Sequence, residues 1–325
     1  MYWVTATRQL LAGCLVCAFL GTFAAPAAAQ SGYIVNAADP TSDGTHDNLW
    51  RVNLADGSST RIGPLNIRAN NNIINSDVEG LALESASALY GVDDAIDALL
   101  TISPQTGMAV PFDRGSDNLR LGMAGSPLDP GLAFDCDGNL LMSSATRRTL
   151  YRLGKNSGQA TVIGREGGLN AKIADIAVRG DNVYGIGIDG DEGLYRIDAE
   201  AGTAQRIGSF GHSIRLANAG MDFDSSGRLW AIGHIVDGNG QPQPSRILKL
   251  DRQTGAVELG ATTRTGVKSL AITPPRCGTG TPNPGPGGTG SASAVPLDSP
   301  WMLLLLTLGL IALAARQHLT STRRD

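Results

Sequence analysis

The sequence predicts an all-β fold, a five-bladed β-propeller whose last strand completes the first blade, and three observations carry that reading. A phrase of strand, glycine turn and strand recurs five times: LWRVNLADGSSTRIG from Leu49, LLTISPQTGMAVPF from Leu99, LYRLGKNSGQATVIG from Leu150, LYRIDAEAGTAQRIG from Leu194 and ILKLDRQTGAVELG from Ile247. Its turn glycines, Gly57, Gly107, Gly158, Gly202 and Gly255, fall 50, 51, 44 and 53 residues apart, a spacing of propeller blades rather than of a sandwich. Two further strands of matching pattern separate successive hairpins, which gives the four strands of a blade.

Each copy of the phrase alternates apolar and polar residues on both sides of its glycine, as a hairpin does. The inner strands are read at residues 78–83, 131–134, 173–178, 220–223 and 268–272, short apolar runs suited to burial. Second strands follow the same logic at 33–36, 89–92, 140–143, 183–186 and 229–232. Turn-forming residues at 135–138, 179–181 and 224–227 join the two sets. The order is offset by one strand, because the chain opens with a second strand and ends with an inner one. The final strand therefore belongs beside residues 33–36, which closes the ring and leaves no open sheet edge. Residues 64–76 and 113–127 are too short to supply a sixth blade.

The two ends speak of location. Arg8, the apolar run 10–23 and Ala24-Ala-Pro-Ala-Ala-Ala29 ahead of Gln30 mark residues 1–29 as a secretory signal peptide. Leu11-Ala-Gly-Cys14 spells a lipobox, but the apolar residues upstream of Cys14 fall short of the roughly 7 that such a signal needs. Residues 278–294 are dominated by Gly, Pro, Thr and Ser, the composition of a flexible linker, and 30–277 form the propeller. The segment 295–325 joins Val295-Pro-Leu-Asp-Ser-Pro-Trp301 to an apolar stretch, 302–315, and a basic end with Arg316, Arg323 and Arg324. This tail resembles the IPTL-CTERM type of bacterial sorting signal: Pro296, Ser299 and Trp301 match the motif, Val295 is a mild variant, and Leu297 and Asp298 depart from it. The resemblance covers only the tail. It implies an exosortase-like membrane protease as a partner that removes the tail at the envelope of a Gram-negative cell. A lasting membrane anchor is the alternative, although 302–315 is shorter than the roughly 17 to 25 residues that span a bilayer. Arginines after the apolar stretch place that end in the cytoplasm and the repeats outside. The repeat region in turn resembles bacterial secreted β-propeller repeat proteins.

The chain carries a net charge of −4, with no basic block in the repeats, which argues against nucleic acid as a partner. Cys14 and Cys17 leave with the signal peptide. The remaining pair, Cys136 and Cys277, is a disulfide candidate in an oxidising compartment, and both should emerge on the bottom face of the ring.

In such a ring the loops leading into the inner strands and those joining second to third strands share the top face. Asp77, Glu79, Asp129, Lys172, Asp175, Asn218 and Lys268 are expected around the mouth of the channel there. Of these, Asp77, Glu79, Asp129 and Asn218 are the candidate ligand-binding residues, together with His212 and His234, which the strand assignment brings close to one another. Asp77 and Glu79, two carboxylates at alternate positions, are a candidate site for calcium. The histidines are candidates for acid–base chemistry or metal ligation, against the alternative that they are solvated loop residues. Capping of turns competes for each carboxylate. Asp222-Phe-Asp-Ser-Ser-Gly227 starts like a calcium-binding loop, but Gly233 replaces the closing glutamate, so it reads as a hairpin turn. Gly185-Ile-Gly187 lacks the third glycine and the helix of a dinucleotide site. No G-x-S-x-G, H-E-x-x-H or C-x-x-C motif occurs in the repeats. The expected function is an exported binding module for a glycan, matrix component or protein. The alternative is an extracytoplasmic hydrolase, lyase or lactonase, calcium-dependent in one version, since the fold hosts both classes.

Overall fold

The computed structural model describes residues 30–36, 47–69, 72–73, 76–112, 121–123 and 127–277. The signal peptide, the linker and the sorting segment with Pro296, Ser299 and Trp301 lie outside these residues, and among the described residues no helix is long and apolar enough to cross a membrane. The strands form five antiparallel sheets. Blade 1 contains β1 (Ser31–Asn36), β2 (Asn48–Asn53) and β3 (Ser59–Pro64); a two-residue hairpin of β4 (Arg68–Ala69) and β5 (Asn72–Ile73) leads to blade 2. Blade 2 runs through β6 (Val78–Ser85), β7 (Ala88–Asp93), β8 (Ala98–Ile102) and β9 (Ala109–Pro111). Blade 3 contains β10 (Pro130–Phe134), β11 (Leu140–Ser144), β12 (Thr149–Leu153) and β13 (Ala160–Ile163). Blade 4 contains β14 (Ile173–Arg179), β15 (Asn182–Gly187), β16 (Gly193–Asp198) and β17 (Thr203–Gly208), and blade 5 contains β18 (Leu216–Phe223), β19 (Leu229–Ile235), β20 (Pro244–Leu250) and β21 (Val257–Thr265).

Blade 1 takes its inner strand from the far end of the chain. Tyr33 N–H donates to Ala271 O at 2.7 Å, Ala271 N–H returns the bond to Tyr33 O at 2.9 Å, and Asn36 bridges Val267. The offset order read from the sequence is thus realised in a five-bladed ring.

Burial falls from the channel outward. Every residue of β10 and β11 is buried, whereas the outermost β17 is largely exposed. That gradient explains why inner strands read as continuous apolar runs, being covered on both faces by neighbouring blades. Five apolar clusters lie between adjacent blades. One joins Val35 and Leu49 of blade 1 to Leu81 and Leu100 of blade 2, and another joins Ile34 and Trp50 to Trp230 and Ile247 of blade 5. Each buried Leu or Ile contributes about 1.5–3 kcal/mol, so the blades hold one another rather than themselves. The repeated glycines serve the same contacts. Gly202, at φ 65°, packs so closely on blade 3 that a Cβ there would sit 2.0 Å from Ile163 O. Any side chain would push the blades apart, which is why the turn glycine recurs in every repeat.

Past the closing strand the chain crosses the bottom of the ring. Ile272 N–H and Thr273 N–H donate to Asp222 Oδ2 of blade 5 at 2.5 and 3.1 Å, and Gly180 N–H of blade 4 donates to Arg276 O at 3.0 Å. Cys277 then forms a disulfide with Cys136 in the β10–β11 turn of blade 3, with the two Cα atoms 5.4 Å apart. One segment therefore ties blades 1, 5, 4 and 3 across the bottom, where Thr273 and Pro275 roof a small cavity beside Leu81, Leu132 and Phe134.

The bridge spans 141 residues, and cross-linking so long a loop removes much of the freedom of the unfolded chain. Reduction, or Cys277→Ser, is expected to cost about 2–4 kcal/mol and to lower Tm by about 10 °C. Calorimetry with and without reductant checks this; equal midpoints would mean that the strap adds nothing to the ring.

Candidate functional site

Carboxylates line the channel at two depths and do different work. Low on the wall, Asp175 is only 1% exposed and accepts hydrogen bonds from three amides: Leu132 of blade 3 at 3.0 Å, its neighbour Ile176 at 2.9 Å and Met221 of blade 5 at 2.7 Å. Asp222 does the same for Phe223, Ile272 and Thr273. Burial drives the Asp175 carboxyl well above its ordinary range, against the pull of the three amides, and drives Asp222 up to about 7. The expectation that Asp175 stands at the mouth is therefore corrected. Its side chain instead clamps three inner strands, β10, β14 and β18.

The mouth itself is built where β6 begins. Asp77 and Glu79 alternate there, with Asp94 from the β7–β8 loop of the same blade and Asp47 and Asp129 from loops of blades 1 and 3 beside them. Asp47 accepts from Val78 N–H at 2.7 Å, Asp94 from Leu128 N–H at 2.7 Å, and Asp129 from the Thr146 hydroxyl at 2.6 Å. Lys268, on the closing strand, pairs with Asp77 and lies 3.7 Å from Glu79 Oε1. From blade 5, Asn218 Nδ2 reaches across the channel to the same Oε1 at 3.2 Å.

These positions decide the charge states. Glu79 is 6% exposed, and burial, aided by the carboxylates of Asp129, Asp94 and Asp47, raises its pKa from the usual 4.5 to about 9. Its Oε1 accepts from Asn218, whereas the buried Oε2 has no hydrogen-bond partner among the described residues. Burial among other carboxylates favours the neutral form, so Glu79 keeps its proton. Burial also lifts Asp47 to about 7, opposed by the Lys268 charge, and Asp94 to about 6, while burial lowers the Lys268 ammonium below its ordinary value.

A hard dication needs several ionised oxygens, and at the Asp77 and Glu79 pair Lys268 already sits on Asp77 and lies 3.7 Å from Glu79 Oε1. Among the described residues, no three His, Cys, Asp or Glu side chains gather as a metal-holding group. His212 is exposed in the loop before β18, while His234 lies opposite Asn218 with its Nε2 buried and unpartnered, and burial lowers its pKa. No hydrogen bond joins the two rings among the described residues. Blade 5 carries His212 on the loop before β18 and His234 on the strand β19.

Beside the carboxylates the top face opens into a pocket of about 410 Å³ lined by Asp129, Thr146, Lys172, Asp189, Arg215 and apolar residues including Ile188 and Leu216. Lys172 is paired with Asp189. The Arg215 guanidinium makes no ion pair or hydrogen bond among the described residues, so its five donors remain available. Sequence reasoning missed Arg215, Asp47 and Asp94. All three lie on loops that the blade assignment already turned to the top face, so a search of those loops for charge would have found them.

No family model matches this sequence, and no curated protein matches it. Several solved structures share part of its shape. A structural-genomics protein of unknown function from Bacteroides thetaiotaomicron is 19% identical at a TM-score of 0.42, over 63% of this chain and 54% of that one. Virginiamycin B lyase from Staphylococcus aureus is 14% identical at 0.38, over 71% and 70%. TolB from Acinetobacter baumannii is 13% identical at 0.45, over 73% and 54%. The chain thus spans about half the length of the Bacteroides and Acinetobacter proteins. None of these likenesses bears on what this chain binds or catalyses.

The proton on Glu79 has a measurable consequence. Its pKa is higher folded than unfolded, so the stability it contributes is complete below about 4.5 and is lost as pH rises towards about 9. Urea-denaturation midpoints are therefore expected to fall across that interval, and Glu79→Gln, which fixes the neutral form, should flatten the fall. Midpoints that rise with pH, or a slope unchanged in the variant, would contradict a protonated Glu79.

Proposed function

We propose that this protein is an exported binding propeller that takes up an anionic group of an extracellular glycan, matrix component or protein in its top-face pocket. The observation that carries the reading is the unpaired Arg215 guanidinium lining the 410 Å³ pocket beside the Lys172–Asp189 pair. A pocket of this size suits a ligand end rather than a whole chain, and a planar guanidinium suits a carboxylate. The bottom of the ring is crossed by the disulfide-tied strap, which leaves the top face as the open mouth. In this reading residues 1–29 direct export, 278–294 form the tether, and 295–325 hand the protein to an exosortase-like protease at the cell envelope.

The second reading is an extracytoplasmic enzyme. It is favoured by one observation, the buried Glu79 whose pKa is raised among neighbouring carboxylates, because a proton donor held at the mouth of a channel is a component of proton-transfer catalysis. Asp129, one of those carboxylates, lines the top-face pocket.

A screen of the full chain against acidic and neutral glycans and matrix proteins separates the two. Binding is expected for a carboxylate-bearing ligand, weakened about tenfold by Arg215→Ala and untouched by Glu79→Gln. Turnover of any ligand, abolished by Glu79→Gln at unchanged Tm, would replace the binding reading with the enzyme.

A further inference from the structure

A second, larger concavity lies away from the top face, between blades 4 and 5. It measures about 810 Å³ and is lined by Tyr184, Arg196, Gln205, Arg206, Arg252 and Gln253. Three arginines in one groove are notable in a chain whose net charge is −4, since like charges brought together repel unless something compensates them.

None of the three forms a close ion pair among the described residues, although the Asp251 carboxylate next to Arg252 feels its charge. Arg196 donates to the Asn182 amide oxygen and, at 3.1 Å, to the Tyr184 hydroxyl, with its guanidinium 4.5 Å from the centre of the Tyr184 ring. Arg206 donates to the Glu192 carbonyl at 2.5 Å, and Arg252 lies 5.8 Å from the Phe223 ring. All three are therefore held by neutral partners that orient them and leave their charge intact. The nearby carboxylates are occupied elsewhere. Asp198 accepts from the amides of Glu200 and Ala201, and Asp251 from those of Gln253 and Thr254, so both cap hairpin turns. What remains is a preformed cationic groove flanked by two carboxamides, each able to donate and accept.

We propose that this groove binds an acidic polysaccharide, with carboxylates of uronic-acid residues on Arg206 and Arg252 and sugar hydroxyls on Gln205 and Gln253. A groove shared by two blades and open along its length suits a polymer better than a single small anion. A polysaccharide fits better than a nucleic acid because the Tyr184 side chain is buried with Arg196 over its ring, which leaves no open aromatic face for a base to stack on. The site is separate from the top-face pocket and stands whether or not that pocket binds a ligand.

Affinity electrophoresis of the full chain in gels containing polygalacturonate, neutral dextran or single-stranded poly(dT) tests this. Retardation is expected in polygalacturonate alone and should weaken with salt, as charge-driven binding does. The double variant Arg206→Gln, Arg252→Gln should lose about tenfold in affinity at unchanged Tm. Should the double variant fold poorly, Arg252→Glu alone, in an exposed turn, should give the same loss. Equal retardation in dextran, full affinity in the groove variants, or tighter binding to poly(dT) would each overturn the proposal.

Discussion

Residues 267–271 pair antiparallel with β1, and this joint between the two ends of the propeller turns a row of sheets into a ring. No blade has a core of its own, because the apolar clusters lie between blades and each needs both neighbours. Opening the joint would strip cover from Ile34, Val35, Leu49 and Trp50 together, an exposure of several kcal/mol at about 1.5–3 per large apolar side chain. Two further devices guard the same joint: the Asp222 carboxylate, which gathers the amides of Ile272 and Thr273, and the Cys136–Cys277 bridge beyond them.

Closure also separates the molecule into two faces with different chemistry. Along the wall and at the bottom, buried carboxylates are saturated by backbone amides, as around Asp175, and so serve as fasteners. At the top, carboxylates outnumber the groups able to satisfy them. Only Lys268 stands among Asp77, Glu79 and Asp47, and the system settles by keeping a proton on Glu79. The strap of residues 272–277 covers the opposite end of the channel, so the unsaturated polar groups and the open pocket coincide on one side.

The repeat phrase was sufficient to read blade number, strand order and closure, because hairpins and buried strands are local or periodic patterns that short stretches of sequence must carry. The turn glycines were legible as hairpin turns, but their close approach to the neighbouring blade, as of Gly202 to Ile163, was not. The disulfide was open to the same reasoning, since both cysteines fall on the bottom of assigned strands. The candidate site was legible only as a list of residues on one face. Glu79 and Asn218 stand 139 positions apart and touch only because two non-adjacent blades face across a narrow channel. The three arginines of the side groove come from two strands and a turn, which is why the repeats show no basic block although the surface has one.

What the sequence by itself determined is therefore the ring: its blades, its offset closure, its top and its bottom. Only the tertiary structure decided which polar groups are neighbours, and with it their protonation. Burial and proximity set those properties, and both are shaped by residues from different blades whose separation along the chain leaves no periodic mark. Asp175 makes the difference concrete. Its place on an inner strand was written in the local pattern, but amides from two neighbouring blades made it a fastener instead of a group at the mouth.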